Sequence, residues 1–393
     1  MSFSFLFQAT MTSSNCRFLL KNGLIPNLVE NPLVTTLLEA HQGAYTTTRT
    51  HSDGSLLLFW ERHMSRLSNS LRILLNSNPE LLFNSEACRV PFSFVSTKPT
   101  MWDSLVQSLV DDSMRKALPL VLDKRRSGEE LAITCLVSGN VDSLEELEEK
   151  FSTAFDVYVH VGSYVPPLFG IHQNGARLAV VGRGRRVANA KYSDWVRQRK
   201  QLEKLRPPYV NELLLSNNDD QILEGCLTNL FVVCHKDVNG DYHKSSQRDN
   251  ESTVSIELQT APIRDGVLPG VVRQNVINAG QLGRGYCCVD LVMPNVCICS
   301  RNKIPVREIA PSWSEREMWS EAFITSSLRL LQHVEVIQAP SSWELLDTQT
   351  WTDVTWEDKR FENAPGRITA FIQKEVMEMA SMEGYPVSLF DDR

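Results

Sequence analysis

A strand, a reverse turn and an amphipathic helix follow one another near the start of the chain, and this order constrains the fold more than any other local feature. The run Gly43–Thr50 is rich in β-branched and aromatic residues, which favour a strand. Ser52-Asp53-Gly54 is typical of a reverse turn. Between Glu61 and Leu75 the apolar residues recur at helical spacing. The N-terminal part of the chain is therefore predicted to combine strands with helices.

The same criteria predict the remaining elements and the domain organisation. Further helices are predicted at Trp102–Met114, Ser143–Phe155, Ser193–Leu205, Pro269–Gly280 and Gly366–Met382. Further strands are predicted at Phe18–Leu20, Leu56–Phe59, Leu131–Val137, Phe155–Val161, Arg177–Val181, Glu212–Leu215, Leu230–Cys234, Val289–Val292 and Ala322–Thr325. A chain of 393 residues is expected to form two domains. We predict an N-terminal domain at 17–165, an irregular linker at 166–175 and a C-terminal domain at 176–393.

Composition excludes several classes of protein. A net charge of -7 disfavours nucleic acid or an anionic membrane as the main partner, and no apolar run approaches the roughly 18 residues of a membrane-spanning helix. The nine cysteines show no paired zinc-type spacing, so no metal site is predicted and buried thiols in a reducing compartment are expected. Residues 1–16 lack the basic start of a secretory signal. We therefore expect a cytoplasmic protein, with organellar targeting by these residues left open.

Lys191 is the first candidate for chemistry. It lies just before a predicted helix and follows the basic run Arg183-Gly-Arg185-Arg186, whose positive field favours a neutral amine. A neutral amine is the form that attacks an aldehyde to give a Schiff base. The alternative is a solvated surface lysine in a basic loop.

Glu224 is the second candidate, in the run Leu223-Glu224-Gly225 that leads to Asn229-Leu-Phe231. A carboxylate at this position could hold a protonated ring nitrogen, and an exposed carboxylate at a strand end is the alternative. Asn229 is expected to anchor the following turn through bonds from its side chain to the backbone.

Three further groups could bind an anion. Leu268–Val272 begins a predicted helix, whose first N–H groups attract anions, and Gly270 allows a close approach of the backbone. Thr325–Ser327 ends a predicted strand with hydroxyls and N–H groups in a turn. Arg66 lies on the predicted helix and can hold a phosphate by two parallel bonds. Each of the three also has an ordinary structural interpretation.

In combination these motifs resemble the fold-type IV pyridoxal-phosphate enzymes, which include branched-chain and D-amino-acid aminotransferases and aminodeoxychorismate lyase. The resemblance spans roughly Arg17 to Val336. The Asn-Gly turn, the Gly-x-aromatic strand and the His-x-x-Arg-Leu-x-x-Ser helix of that family match Asn22-Gly23, Gly43-Ala-Tyr45 and His63–Ser70. The family run Glu-Gly-x-x-x-Asn-Leu-Phe matches Glu224–Phe231, and this match is the most specific.

The resemblance implies an α/β (α+β) fold of the D-amino-acid aminotransferase type, with a small α/β N-terminal domain and a larger C-terminal domain built on a β-barrel. It implies pyridoxal 5'-phosphate as cofactor, a homodimer, and a catalytic Lys191 that forms the Schiff base and shuttles a proton between the substrate α-carbon and the cofactor. The residues it implies for cofactor binding are Arg66, Lys191, Glu224, Leu268, Val271, Val272, Ser326 and Ser327. Tyr45 would line the substrate pocket, and the substrate carboxylate is expected to meet Arg49, Arg183, Arg185 or Arg186.

An aminotransferase that moves an amino group between an amino acid and a 2-oxo acid is the first functional hypothesis. A pyridoxal-phosphate lyase is the second, because the run Tyr45–Arg49 resembles the lyase strand equally well. A non-catalytic scaffold that retains the fold is the third. This hypothesis is motivated by Val272, where the family usually has threonine, and by Val196, where it often has tyrosine. Extra residues are expected around 237–257 and 340–362.

Overall fold

The structure is a computed structural model that describes residues 17–27, 31–77, 79–83, 99–140, 151–217, 220–237, 254–277, 304–342 and 351–390. The chain divides into two compact units. The first comprises Met1–Pro167, Arg185–Gln201 and Glu378–Arg393, and the second comprises Leu168–Gly184 and Leu202–Met377. The sequence prediction placed 185–201 and 378–393 in the C-terminal domain. This division differs because both segments make their contacts within the first unit, as the pairing of Lys191–Ser193 described below illustrates.

The elements are numbered in chain order. The helices are α1 (Val34–Ala40), α2 (Trp60–Ser77), α3 (Glu80–Phe83), α4 (Pro99–Leu122), α5 (Trp195–Glu203), α6 (Val271–Ile277) and α7 (Arg367–Met382). The strands are β1 (Arg17–Lys21), β2 (Gly43–His51), β3 (Leu56–Leu57), β4 (Glu130–Gly139), β5 (Phe155–Tyr164), β6 (Ala176–Arg183), β7 (Glu212–Ser216), β8 (Ile222–Gly225), β9 (Asn229–Asp237), β10 (Val254–Thr260), β11 (Val306–Glu308), β12 (Trp319–Ser326), β13 (Leu330–Pro340), β14 (Trp356–Arg360) and β15 (Tyr385–Pro386). Short 3-10 helices span Phe151–Ala154, His172–Asn174, Ile263–Asp265, Trp313–Met318, Trp351–Asp353 and Val387–Phe390.

The first unit contains an antiparallel sheet with the strand order β1-β5-β4-β2-β3-β15. Helices α2 and α4 pack on one face of this sheet, where they form the larger core. The helical spacing predicted between Glu61 and Leu75 is confirmed, because the leucine stripe of α2, formed by Leu67, Leu71, Leu74 and Leu75, is buried there. Burial of such a stripe is what holds an amphipathic helix against a sheet.

The opposite face of the same sheet carries a smaller apolar cluster. Leu37 and Leu38 of α1 pack there with Tyr45, Tyr158 and Val196. Helix α1 was not predicted from the sequence, because it lacks a side-chain cap at its N-terminus and a basic residue in its last turn to mark its ends. Tertiary packing rather than local signals therefore stabilises this helix.

The second unit is built on a sheet that closes on itself. Its strands run β9-β12-β13-β6-β7-β8, and β8 returns to β9 through the pair Glu224–Asn229. β10 and β11 extend the sheet beyond β9, and β14 pairs with β13. The ring encloses an apolar core that includes Val180, Val232 and Ile324. Together with the mixed helices and strands of the first unit, this closed sheet confirms the predicted fold class.

Some predicted boundaries change. The strand predicted at Leu56–Phe59 ends at Leu57, because Phe59 has a positive φ of 50°. The helix predicted at Trp102–Met114 is longer, Pro99–Leu122, and it accommodates Pro119 near its C-terminus. The strand predicted at Val289–Val292 lies outside the described residues, as do residues 143–150 of the helix predicted at Ser143–Phe155. The remainder of that predicted helix is the 3-10 helix Phe151–Ala154, after which β5 begins at Phe155. Of the helices in the described ranges, none has the length and apolar character needed to cross a membrane.

Candidate active site

Lys191 belongs to a short segment that is fixed to the edge of β2. Its carbonyl oxygen accepts a hydrogen bond from Tyr45 N at 2.9 Å, and its own N–H donates to Ser70 Oγ at 3.1 Å. The next residues continue the pairing, since Tyr192 forms an antiparallel bridge with Ala44 and Ser193 N donates to the Gly43 carbonyl. Both backbone polar groups of the lysine are therefore engaged in hydrogen bonds.

The side chain of Lys191 extends over an aromatic ring. Its Nζ lies 4.6 Å from the centroid of the Tyr45 ring, which is a cation–π distance. Tyr45 is buried at 5% exposure in the cluster on the α1 side of the sheet. The structure thus brings together the predicted catalytic lysine and the predicted substrate-lining tyrosine.

Arg66 lies on α2, and its contacts include the strand that carries Tyr45. Its Nη2 donates to Thr46 Oγ1 at 2.9 Å and lies 3.4 Å from His63 Nδ1. Within the part of the chain that the structure describes, its buried Nε has no hydrogen-bond partner. Burial lowers the pKa of Arg66 to about 10, with Arg185 adding to the shift and Tyr45 opposing it. The guanidinium therefore remains charged at neutral pH and has a donor available for an anion.

His63 completes this arrangement. Thr46 Oγ1 accepts from Arg66 and lies 2.7 Å from His63 Nδ1, so the hydroxyl donates onward to that nitrogen. Burial, followed by the charges of Arg66 and Lys191, lowers the pKa of His63 well below its usual value. The ring is therefore neutral, and the hydrogen-bond network assigns its proton to Nε2.

The four candidate arginines for a substrate carboxylate occupy different settings. Arg49 is 3% exposed and its Nη1 donates to the Thr50 carbonyl, while burial lowers its pKa and Tyr164 and Glu130 raise it. It lies four strand positions beyond Tyr45, about 13 Å along β2. Arg183 and Arg186 are exposed. Arg185 stacks 5.2 Å from the ring of Trp195, and its charge acts on Arg66. Arg185 is thus the member of the four whose charge acts on the group around Lys191.

Glu224 lies in the second unit, at the hairpin between β8 and β9. It is 1% exposed, so the alternative of an exposed strand-end carboxylate is wrong. Its Oε2 accepts hydrogen bonds from Asn229 Nδ2 at 3.2 Å and from Leu268 N at 3.0 Å. A buried carboxylate requires such donors to offset the loss of water. The arrangement holds a negative charge at a defined position in the second unit.

Asn229 anchors more than the local turn that the sequence predicted. Its Nδ2 donates to the Leu268 carbonyl at 3.0 Å, 39 residues further along the chain. Gly270 lies against the same side chain, and a Cβ at this position would fall well inside contact distance of Asn229 Oδ1. Asn229 therefore connects the β8–β9 hairpin, which carries Glu224, to the segment that leads into α6.

Val271 and Val272 form the first turn of α6, and both side chains are buried. The first N–H groups of a helix have no acceptor within the helix, so the backbone can still bind an anion although Val272 lacks the hydroxyl of the family's threonine. α6 packs on β12, which ends at Ser326. Ser326 Oγ accepts from Arg329 N at 3.3 Å, and Ser327 is half-buried.

Thr325 is next to these serines and was a weaker candidate from the sequence. It is 2% exposed, and its Oγ1 has no hydrogen-bond partner among the described residues. The second unit therefore brings together the predicted anion donors of α6 and those at the end of β12.

The sequence analysis missed the roles of three residues around Lys191. Ser70, Thr46 and His63 form the hydrogen bonds that surround Arg66 and the lysine backbone. His63 and Ser70 stood in the recognised helix motif, at positions three residues before and four residues after Arg66, which lie on one helix face. That spacing was the available signal. The described residues include no group of three or more His, Cys, Asp or Glu side chains that could hold a metal ion.

Comparisons with known proteins show the family and the fold of this chain. The sequence model of the amino-transferase class IV family matches residues 43–283. A branched-chain aminotransferase from the archaeon Thermoproteus uzoniensis, solved with norvaline, has 16% identity and a TM-score of 0.53, covering 95% of this chain and 100% of that chain. A hypothetical aminotransferase from Mycobacterium tuberculosis, solved with PLP, has 14% identity and a TM-score of 0.53, covering 93% and 98%. The branched-chain aminotransferase from Escherichia coli has 15% identity and a TM-score of 0.52, covering 93% and 95%.

At these identities the solved structures establish the fold. A search of curated proteins found no match. The family model covers more than half of the chain, and the chain belongs to the class IV aminotransferase family. The predicted family is confirmed, and with the family comes its cofactor, pyridoxal 5'-phosphate.

The residues present fit this cofactor. The first unit supplies a primary amine on Lys191 and a guanidinium on Arg66 with a buried, unpartnered Nε among the described residues. The second unit supplies the buried carboxylate of Glu224, the amides that begin α6, and the Thr325 hydroxyl. Each unit by itself thus carries groups of the kinds that the aldehyde, the phosphate or the ring nitrogen of the cofactor requires.

Proposed function

We propose that this chain is a pyridoxal-phosphate-dependent aminotransferase that moves an amino group between an amino acid and a 2-oxo acid. The observation that carries the proposal is the setting of Lys191. Its backbone is held by hydrogen bonds to Ser70 and Tyr45, and its amine lies against the Tyr45 ring. An ordinary surface lysine has no need of such an anchored backbone.

The candidate residues would have distinct roles in cofactor binding and proton transfer. Pyridoxal phosphate, when bound, supplies an electron-withdrawing ring that makes a proton on the substrate α-carbon acidic. Lys191 would hold the aldehyde group and then move that proton through its Nζ. Arg66, the amides of Val271 and Val272, and the hydroxyls of Ser326 and Ser327 would bind the phosphate.

Glu224 would hold the ring nitrogen in its protonated form. Its carboxylate is oriented by Asn229 and by the amide of Leu268, so it can meet a positive charge without reorganisation. Leu268, which is 8% exposed, would pack on the face of the ring. Burial of these groups also excludes water, which strengthens the charge pairing.

Substrate recognition would come from the first unit. Tyr45 would line the pocket, and Arg185 is the best placed of the four arginines to meet a substrate carboxylate because its charge already acts on Arg66. A guanidinium held on the ring of Trp195 is partly oriented for the planar, two-bond contact that carboxylates make.

Absorption spectroscopy of the purified full chain tests the proposal. After incubation with pyridoxal phosphate we expect a visible band that Lys191→Ala abolishes. Lys200→Ala is the matched control, because Lys200 is an exposed lysine of the same region paired with Glu39, and it should keep the band. A protein that stays colourless with added cofactor would contradict the proposal and favour the scaffold hypothesis.

The same preparation separates aminotransferase from lyase. An amino acid alone should convert the bound cofactor to its amine form and bleach the visible band, and a 2-oxo acid should restore it. If no amino donor bleaches the band, the lyase hypothesis takes precedence.

A further inference from the structure

Lys191 can move only through its own side-chain torsions. Its N–H is bonded to Ser70 Oγ and its carbonyl to Tyr45 N, and the following Ser193 both accepts from Gly43 N at 3.0 Å and donates to the His41 carbonyl at 2.8 Å. The position of Nζ is therefore decided by whatever the side chain meets as it turns. The ring of Tyr45 is such a surface, with its centroid 4.6 Å from Nζ.

Tyr45 itself is held rigidly. Its ring belongs to the cluster with Leu37, Leu38, Tyr158 and Val196, and its backbone is paired on both sides, with Leu136 of β4 and with Lys191. Val196 is buried at 2% exposure and contributes an apolar wall where the family often has a tyrosine. The aromatic face that Lys191 meets in this chain is thus fixed in place from several directions.

The surrounding charge makes a π face a favourable place for the amine. Lys191 adds to the positive field that acts on His63, and Arg66 adds a second positive charge there. The negative face of an aromatic ring attracts an ammonium without introducing a competing carboxylate.

We propose that Tyr45 is a positioning residue for Lys191, whose ring provides the resting site of the lysine amine whenever that amine is not covalently engaged. The inference rests on the proposed function and adds a second role to a residue that the sequence analysis assigned only to the substrate pocket. Tyr45 thus contacts Lys191 at both ends: its N–H donates to the lysine carbonyl, and its ring lies against the lysine Nζ.

Reductive methylation with carbon-13 formaldehyde tests whether the Lys191 amine rests on the Tyr45 ring, and the measurement does not depend on the chemistry of the cofactor. The full chain is treated with hydroxylamine to remove any bound cofactor and then methylated, and the Lys191 resonance is identified by its absence in Lys191→Ala. Protons above an aromatic face are shifted upfield, so the Lys191 methyl signal should lie upfield of those of exposed lysines such as Lys200. A Lys191 signal at the exposed-lysine position in the wild-type chain overturns the proposal, and this reading requires no substitution at Tyr45.

Variants then assign the ring responsible. Tyr45→Phe keeps the aromatic face and should keep the upfield shift, whereas Tyr45→Leu should lose it and methylate at position 191 about two- to fivefold faster, since the contact stabilises the unreactive ammonium. Tyr158→Leu is the matched control, because Tyr158 lies in the same cluster but carries Lys21 at 5.6 Å, and it should leave the Lys191 signal unchanged. Equal shifts in Tyr45→Leu and Tyr45→Phe would overturn the proposal.

Failure of this inference is distinguishable from failure of the proposed function. Absence of the visible band with pyridoxal phosphate would refute the function, while the methylation measurement would still report whether Nζ lies on the ring. Conversely, a normal band with an unshifted methyl signal would refute only the role of Tyr45.

Discussion

Replacing Gly270 by alanine should weaken the hydrogen bonds that hold the Glu224 carboxylate, because the added methyl group displaces the side chain of Asn229. The added Cβ would fall well inside contact distance of Asn229 Oδ1, 3.3 Å from Asn229 Cγ and 3.4 Å from the Cβ of Arg273. Asn229 cannot turn away freely, because its Nδ2 donates to Glu224 Oε2 at 3.2 Å and to the Leu268 carbonyl at 3.0 Å. Either the backbone near Gly270 shifts or the asparagine releases the carboxylate.

The size of the effect follows from these two routes. Overpacking a buried site costs about 1–3 kcal/mol. Loss of a hydrogen bond to a charged group costs about 1.5–3 kcal/mol. The less costly of these two changes should occur. We therefore expect the free energy of local opening around Leu268 to fall by about 1–3 kcal/mol. Because Leu268 N donates to the same carboxylate oxygen, its amide reports the change directly.

Hydrogen exchange of the Leu268 amide is the assay, since two compact units make a single two-state unfolding fit unsafe. Gly270→Ala should speed this exchange roughly 5- to 150-fold. Gly162→Ala is the control: its Cβ would meet His160 Cε1 at 3.8 Å, which is ordinary contact, and it should leave Leu268 unchanged. Unaltered exchange at Leu268 in Gly270→Ala would refute the reasoning that Asn229 is immobilised.

Three other substitutions have expected outcomes. Ser70→Ala leaves the Lys191 N–H without its acceptor and should speed exchange of that amide about fivefold or more, whereas Ser104→Ala, which removes an equivalent bond to the carbonyl four residues earlier, should not. Arg66→Lys should raise the dissociation constant of pyridoxal phosphate about tenfold in spectrophotometric titration, because an ammonium cannot make two parallel bonds; unchanged affinity would argue against phosphate binding there. The pKa of His63 is lowered on folding, so the unfolded chain takes up the proton first and the free energy of unfolding should fall as pH drops below about 6.5. His63→Asn should make that decline shallower, by up to about 1.4 kcal/mol per pH unit, in the hydrogen-exchange protection of the α2 amides measured between pH 6.5 and 5 and corrected for intrinsic exchange.

Local patterns in the sequence were sufficient for much of the fold and for the candidate residues. The stripe of leucines fixed the buried face of α2, and the run Glu224–Phe231 marked a hairpin whose carboxylate proved to be buried. Such features are readable because helical spacing and turn residues act over a few positions of the chain. The elements that were missed include β13, the long strand Leu330–Pro340 that pairs in parallel with β6, and β10, whose first residues fall within the extra residues expected at 237–257.

The hydrogen-bond partners of side chains that bond to distant residues could not be predicted from the sequence. Nothing near Asn229 indicates that its amide will bond to Leu268, and nothing near Arg49 indicates that burial will direct it to the Thr50 carbonyl. Likewise, nothing near Arg185 indicates that its guanidinium will lie over the ring of Trp195.

The sequence by itself determined which chemical groups the protein carries and on which type of element each one lies, because residue identity and local periodicity are properties of short segments. Only the tertiary structure decided how Lys191 is held and how Glu224 is kept in place. Each depends on hydrogen bonds to residues far away in the chain, Ser70 and Tyr45 for the lysine and Leu268 for the carboxylate. Those bonds form only when packing of the sheets has brought the partners within about 3 Å of each other.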